Sequence, residues 1–276
     1  MQTTAQVADL QNLGGLATPP AWFEPGILTK LKLQLARPER RAVKKSRLAQ
    51  QRFYSRLVRP GELAFDVGAN IGARTGMLLN LGCRVLAVEP QPACVAKIRE
   101  KYKSRGGFLI EQTALGAAVG KATLHQSAAD VLGTLSTDWM ERMRESGRFA
   151  GTDWSASIEV PVTTMDSLIA KHGTPALVKI DVEGFEEHVL AGLSTPIRCL
   201  SLEFAREFLD HTHNCVKKLA TLADYAWNYG VGDHDNFALS TWIDGDAMIR
   251  HLSTQPDAKL WGDVYAIDRR AWISQS

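Results

Sequence analysis

Four cysteines are spread over 276 residues, at Cys83, Cys94, Cys199 and Cys215, and no two of them form a CxxC pair. That spacing excludes a zinc ribbon or a dithiol redox motif, and that density excludes a disulfide scaffold. A reducing, cytoplasmic compartment is therefore expected. No apolar run reaches the ~18 residues of a membrane span, so no membrane-spanning segment is expected. Met1 to Leu16 lacks the basic start and apolar stretch of a secretion signal. Net charge is scarce as well: 32 Lys/Arg oppose 30 Asp/Glu, a formal +2. There is no internal repeat and no low-complexity tract. What remains is 45% hydrophobic and 22% charged residues, the balance of an ordinary globular protein rather than a disordered chain.

The small net charge hides an asymmetry. Residues 1–60 carry 11 Lys/Arg against 3 Asp/Glu, and nearly all of that positive charge lies between Lys30 and Arg59. Such a segment could attract an anionic partner, or simply form a solvated helix face. Ile27 to Leu35 and Arg40 to Val58 read as helices separated by Pro38, and Pro60-Gly61 closes the segment. Residues 1–60 are thus expected to be a basic helical appendage to a domain over 61–276.

From Leu63 onward, short apolar runs alternate with helical stretches. Strands are predicted at Leu63–Val67, Arg84–Val88, Phe108–Gln112, Ala176–Ile180 and Leu200–Phe204. Helices are predicted near Arg74–Asn80, Pro92–Tyr102, Glu186–Leu190 and Val216–Leu222. This alternation implies right-handed crossovers and a parallel sheet covered on both faces, an α/β Rossmann-like fold. An insertion at about 126–157 interrupts the rhythm, with strand-like flanks at Ala122–His125 and Ser157–Val162 and a helix at Asp138–Ser146. Short strands at Phe237–Ser240 and Val264–Ile267 are expected to end the sheet in a hairpin.

Chemistry concentrates at the predicted strand ends. Phe65-Asp66-Val67-Gly68-Ala69-Asn70-Ile71-Gly72 is a glycine-rich strand-to-helix turn, which brings backbone N–H groups close to a ligand. In the dinucleotide fingerprint a glycine makes room for a pyrophosphate where this chain has Asn70. Asp66 would repel phosphate but attract an amino group. A nucleoside bearing an amino acid and no phosphate fits best, which describes S-adenosylmethionine. Glu89, closing the second strand 21 residues after Gly68, is placed to accept hydrogen bonds from ribose hydroxyls. The run Leu177-Val-Lys179-Ile-Asp181-Val-Glu183-Gly184 delivers Asp181 and Glu183 to the ligand-binding edge, with Lys179 on the same side. Methyl transfer to a hydroxyl requires the acceptor oxygen in line with the sulfonium and a group to take its proton. Asp181 and Glu183 can supply that base, tuned by Lys179.

Phe65 to Gly72, Val85 to Pro90, Thr164 to Leu168 and Val178 to Leu193 together resemble the FkbM family of S-adenosylmethionine-dependent methyltransferases. The most specific element is Lys179-Ile-Asp-Val-Glu-Gly184 with Val189-Leu-Ala-Gly192 behind it. The resemblance implies a class I methyltransferase fold: a mostly parallel seven-stranded sheet, helices on both faces, and an antiparallel last strand. It implies S-adenosylmethionine as cofactor, S-adenosylhomocysteine as product, and O-methylation of a sugar, glycan or secondary metabolite. By this resemblance Asp66, Gly68, Asn70, Gly72 and Glu89 hold the cofactor's amino acid and ribose. Thr113 and Ala114 flank its adenine, and Asp181 and Glu183 lie beside the reacting methyl.

Two weaker constellations remain. Asp210-His211-Thr212-His213 and Asp233-His234-Asp235 are expected at the same sheet edge. A divalent metal could use them, although it is not favoured, and His211 and His213 stand beside Asp181 and Glu183 as candidate bases. Three alternatives stay open: a nucleic-acid methyltransferase using the basic N-terminal segment; a nicotinamide oxidoreductase, against which Asn70 and Asp66 argue; and a cofactor-binding scaffold without catalysis, in which the carboxylates only cap helices. The acceptor and the oligomeric state, a homo-oligomer among the options, are not specified by any motif.

Overall fold

The computed structural model describes residues 16, 19–23, 38–127, 133–148 and 152–273. The helix expected at 27–35 and the middle of the insertion (128–132 and 149–151) lie outside the described residues.

Runs such as Leu63-Ala-Phe-Asp-Val67 and Leu177-Val-Lys-Ile180 bury every residue, as strands covered on both faces must. They form β1 (Leu63–Val67) and β8 (Leu177–Ile180), the centre of a seven-stranded sheet that also contains β2 (Arg84–Val88), β3 (Phe108–Glu111), β9 (Cys199–Ala205), β10 (Tyr225–Val231) and β11 (Trp261–Asp268). Its order is β10-β11-β9-β8-β1-β2-β3. β1 pairs in parallel with β2 and β8, and those with β3 and β9 in turn. β11 alone runs antiparallel, between β9 and β10. A parallel sheet with its last strand inserted antiparallel is the class I methyltransferase arrangement the sequence implied. The strand order reverses between β1 and β8, and in open α/β sheets ligands bind at the carboxyl ends flanking such a switch.

Connections through α2 (Ala73–Asn80) and α3 (Pro92–Tyr102) cover one face. The other face is covered by α5 (Met165–His172), α6 (Glu186–Ala191), α7 (Leu209–Ala220) and α8 (Gly245–Ser253), whose buried positions join a cluster around Phe65, Val178 and Leu200. The insertion belongs to a second, four-stranded sheet of β4 (Ala114–Leu115), β5 (Gly120–Gln126), β6 (Gly133–Thr134) and β7 (Ala156–Thr163), in the order β4-β7-β5-β6. Its helix, α4 (Thr137–Glu145), starts at Ser136, whose hydroxyl accepts from Trp139 N at 3.1 Å.

Three expectations shift. The N-terminal helix, α1, runs Pro38–Tyr54; Phe53 and Tyr54 at its end, with Leu57 and Val58, are buried in the same cluster as Ala64 and Val85. The helix after β9 starts at Leu209, not near Val216, so His211 and His213 occupy helical positions rather than a loop. The tail strand is Tyr225–Val231, not Phe237–Ser240. Phe237 instead packs its ring 4.8 Å from that of Phe53 and 4.9 Å from that of Trp242, which anchors a loop by burial without strand pairing. No described helix is long and apolar enough to cross a membrane.

Candidate active site

The glycine turn exists because β1 and β8 end almost in contact. Gly68 has φ 77°, and a Cβ there would overlap the Asp181 carbonyl. The turn is fixed by Gly68 N and Ala69 N donating to Val88 O at 2.9 and 3.1 Å. Asn70 follows at φ 50°, a left-handed position that asparagine tolerates. This turns its N–H toward Glu89 Oε2, 2.8 Å away. The other Glu89 oxygen accepts from Gln91 N at 2.8 Å. Burial pushes the Glu89 carboxyl up to about 7 despite these two donors. Glu89 is thus held in one direction by these backbone donors and by the Gln91 side chain.

Thr113 and Ala114, just beyond β3, complete this side of a cleft of about 130 Å³ with Gly68, Asn70 and Glu89. The second sheet contributes Leu124, Thr134 and Leu135. Thr134 Oγ1 donates to Glu183 O at 2.6 Å, tying β6 to the loop after β8. Gly72 is not part of the lining: it caps α2 at φ 75°, packs under Tyr102, and accepts the Tyr102 hydroxyl on its carbonyl at 2.7 Å. Asp66 is buried below the turn, where Thr75 Oγ1 donates to its Oδ2 at 2.5 Å and burial raises its pKa.

Asp181 and Glu183 line the same cleft. Lys179 lies behind them, 1% exposed, with its Nζ 2.7 Å from Asp263 Oδ1 and 3.3 Å from Asp181 Oδ2. Burial would lower the Lys179 pKa, but these two carboxylates outweigh it and raise it well above the usual value. Burial would likewise raise the Asp181 carboxyl; the Lys179 charge and a hydrogen bond from Glu203 reverse this and hold it low. Glu183 and Glu203 are pushed well up, by burial first and then by the Asp181 charge. One oxygen each of Asp181, Glu183 and Glu203 lie within 4.8 Å of one another.

The sequence did not single out Glu203 or Asp263. The signal for Glu203 was an acid inside the apolar run Leu200–Phe204, two residues beyond Ser201, which pairs with Lys179. Asp263 faces Glu203 across the antiparallel β11, a pairing without a local sequence signal.

The histidine constellations do not converge on the cleft. His213 lies 3.5 Å from Ser253 Oγ on α8, while His211 sits between Asp138 and Glu187 at 3.2 and 3.3 Å. The helical start at Leu209 turns these side chains toward neighbouring helices. Asp210 pairs with Arg142 at 2.9 Å and Asp233 with Arg74 at 3.6 Å. His234 Nδ1 donates to Gly232 O at 2.8 Å, and its Nε2 lies 2.7 Å from the Tyr265 hydroxyl. Among the described residues, the one group of metal-ligating type with converging atoms is the carboxylate trio, and it contains no histidine.

Residues 66–213 match the methyltransferase FkbM domain. The chain is 32% identical over 158 residues to the 31-O-demethyl-FK506 methyltransferase FkbM of Streptomyces tacrolimicus, across 49% of this chain and 61% of that protein. The chain thus spans about three-fifths of the length of this curated relative. Among solved structures, it resembles a TehB-like SAM-dependent methyltransferase from Corynebacterium glutamicum, with 10% identity, 80% and 88% of the two chains covered and a TM-score of 0.41. It also resembles the precorrin-6y C5,15-methyltransferase of Geobacter metallireducens, with 13% identity, 85% and 91% covered and a TM-score of 0.38. At scores of this size the fold rests on the strand order itself.

Proposed function

The chain belongs to the FkbM methyltransferase family; from that premise we propose that it is an S-adenosylmethionine-dependent methyltransferase that methylates a hydroxyl of a small molecule, with a carboxylate at the end of β8 as base. The observation that supports this most is that Asp181 and Glu183 line one cleft together with Glu89, Thr113 and Ala114.

The lining fits this cofactor. Asp66, Glu89, Asp181 and Glu183 surround the glycine turn, and Asn70 stands where a diphosphate would need space. An acidic, side-chain-filled turn disfavours a dinucleotide, and a positively charged sulfonium is compatible with it. When bound, S-adenosylmethionine supplies an electrophilic methyl. In this proposal Glu89 accepts the ribose hydroxyls, the segment Thr113–Ala114 flanks the adenine, and Gly68 and Asn70 present backbone to the nucleoside. Asp181, kept ionised by Lys179, accepts the proton of the acceptor hydroxyl as the new bond forms. Glu183 and Glu203, holding their protons, keep repulsion within the cluster low. The chain's main contribution is to align the two reactants. His213, turned toward α8, is left out of this scheme. The acidic lining gives no support to the nicotinamide alternative, and the basic segment alone gives none to nucleic-acid methylation.

The test is a calorimetric titration followed by a transfer assay. S-adenosylhomocysteine should bind and NADH should not, and Glu89→Ala should weaken binding by about a hundredfold or more, as for the loss of a bidentate charged contact. Labelled S-adenosylmethionine with a panel of hydroxylated, aminated and RNA acceptors should label only hydroxyls. Label on nitrogen or RNA would overturn the acceptor class.

A further inference from the structure

A chain of side chains leads from Asp181 into the body of the protein. Asp181 Oδ2 lies 3.3 Å from Lys179 Nζ, which donates to Asp263 Oδ1 at 2.7 Å. The other Asp263 oxygen lies 3.4 Å from the Tyr265 hydroxyl, and that hydroxyl lies 2.7 Å from His234 Nε2. Asp181 is 35% exposed, whereas the side chains of Lys179, Asp263, Tyr265 and His234 are buried. Methyl transfer as proposed gives Asp181 and Lys179 a task and leaves Tyr265 and His234 without one.

The loop after β10 fixes the imidazole. A Cβ at Gly230 would overlap the His234 ring, and the Phe53 ring from α1 stands edge-on at 5.1 Å. His234 Nδ1 lies 2.8 Å from Gly232 O, and a carbonyl only accepts, so Nδ1 carries the hydrogen of the neutral ring. The Tyr265 hydroxyl then has one hydrogen and two takers. When Nε2 is bare, the hydrogen goes to it, and Asp263 Oδ2 goes without. When Nε2 is protonated, it donates to the Tyr265 oxygen, and the hydroxyl hydrogen turns to Asp263. A donor at Oδ2 stabilises the Asp263 charge and weakens its claim on the lysine ammonium. Of the other charged or titratable groups nearby, Asp263 itself lies 3.9 Å from Nε2 and Tyr54 on α1 faces Tyr265. On the histidine's own loop, Asp233 and Asp235 lie toward Arg74 and Arg56.

We propose that Tyr265 and His234 are positioning residues for the base: by granting or withholding one hydroxyl hydrogen, they set how firmly Asp263 holds Lys179 and how much of the lysine charge is left to Asp181. This rests on the reading of Asp181 as the base. It gives the loop after β10, which lies outside the matched residues 66–213, an influence on the reacting end of the cleft.

The test reads Asp181 by NMR without an acceptor, so its failure leaves the methyltransferase reading standing. Aspartate is isotopically labelled at its carboxyl carbon, and the Asp181 signal is the one lost in Asp181→Asn. Tyr265→Phe keeps the ring packed on Phe53 and Phe237 and denies Asp263 the hydroxyl in every state. His234→Leu removes the competing acceptor and grants the hydroxyl in every state. The two variants should therefore displace the Asp181 signal to separate positions. As pH falls from about 8 to 5, the range in which histidine gains its proton, the wild-type signal should move from the first position toward the second. Glu183 and its neighbours respond to pH in every variant, so the Tyr265→Phe response is the baseline. Both variants should bind S-adenosylhomocysteine within about twofold of the wild type, which separates a lost hydrogen bond from a lost fold. Coincident Asp181 signals in the two variants, or a wild-type response no larger than that of Tyr265→Phe, would overturn the proposal. If the wild-type protein binds no S-adenosylhomocysteine, the cofactor reading falls, and the carboxyl signals still decide this one.

Discussion

Glu89 and Asp181 stand at the same edge of the same sheet, at the ends of β2 and β8, the two parallel strands that flank β1, yet their surroundings differ in kind. Glu89 is a single carboxylate held by two backbone donors and the Gln91 side chain, and the strongest shift on it is burial. Asp181 shares its surroundings with two further carboxylates and a buried lysine. Neutral donors fix a carboxylate's direction without fixing a proton on it, which suits recognition. Crowded acids around one cation instead fix how protons are distributed, which suits chemistry.

The largest expected effect breaks the crowded end. Lys179→Met would leave the buried Asp263 and the partly exposed Asp181 without their cation, and should cost about 3–5 kcal/mol of stability in urea unfolding. A loss below about 1 kcal/mol would mean that the cluster does not depend on the lysine.

The next concerns Glu89 and has two opposite signs. Ribose hydroxyls donate to the carboxylate form, so S-adenosylhomocysteine affinity should rise as pH passes upward through about 7 and then level off. Below that point it should fall by up to about tenfold per pH unit. For the empty protein the sign reverses. The unfolded carboxyl ionises near 4.5 and the folded one near 7, so the folded state binds the extra proton between them. The Glu89 contribution to stability therefore declines as pH rises from about 4.5 to 7. Glu89→Gln should flatten the pH dependence of binding, and a slope that survives in this variant would assign the titration elsewhere.

The smallest effect sharpens the contrast. If Glu203 holds its proton, an amide can replace it, and Glu203→Gln should change stability by no more than about 0.5 kcal/mol. Asp181→Asn, which removes the charge facing Lys179, should cost clearly more. Equal costs would erase the distinction between the ionised and protonated members.

Much of this was readable along the chain. β1, β2, β8 and β9 are announced by apolar runs, and Gly68, Asn70, Glu89, Thr113, Ala114, Asp181 and Glu183 all reach the cleft because each follows or ends such a run. Partners set by pairing across the sheet were not readable. Lys179 meets Asp263 only because β11 enters between β9 and β10, and no local pattern encodes that neighbour. His213 was misplaced for a related reason: the polar residues Asp210 to Asn214 hide a helix whose inward positions are Thr212, Cys215, Val216 and Leu219. Gly72 carries the spacing of the ligand turn but serves the packing of α2 on Tyr102.

The position of β11 also constrains the order in which the chain can be built. β10 borders only β11 in the main sheet, and β11 is the last described strand to be synthesised. On the ribosome, β10 emerges with no sheet edge to join, and Lys179 emerges long before Asp263. The parallel half of the sheet can assemble while the lysine still reaches solvent or Asp181 alone. Sealing that charge inside must wait for β11, the strand that carries Asp263 and joins β10 to the rest of the sheet.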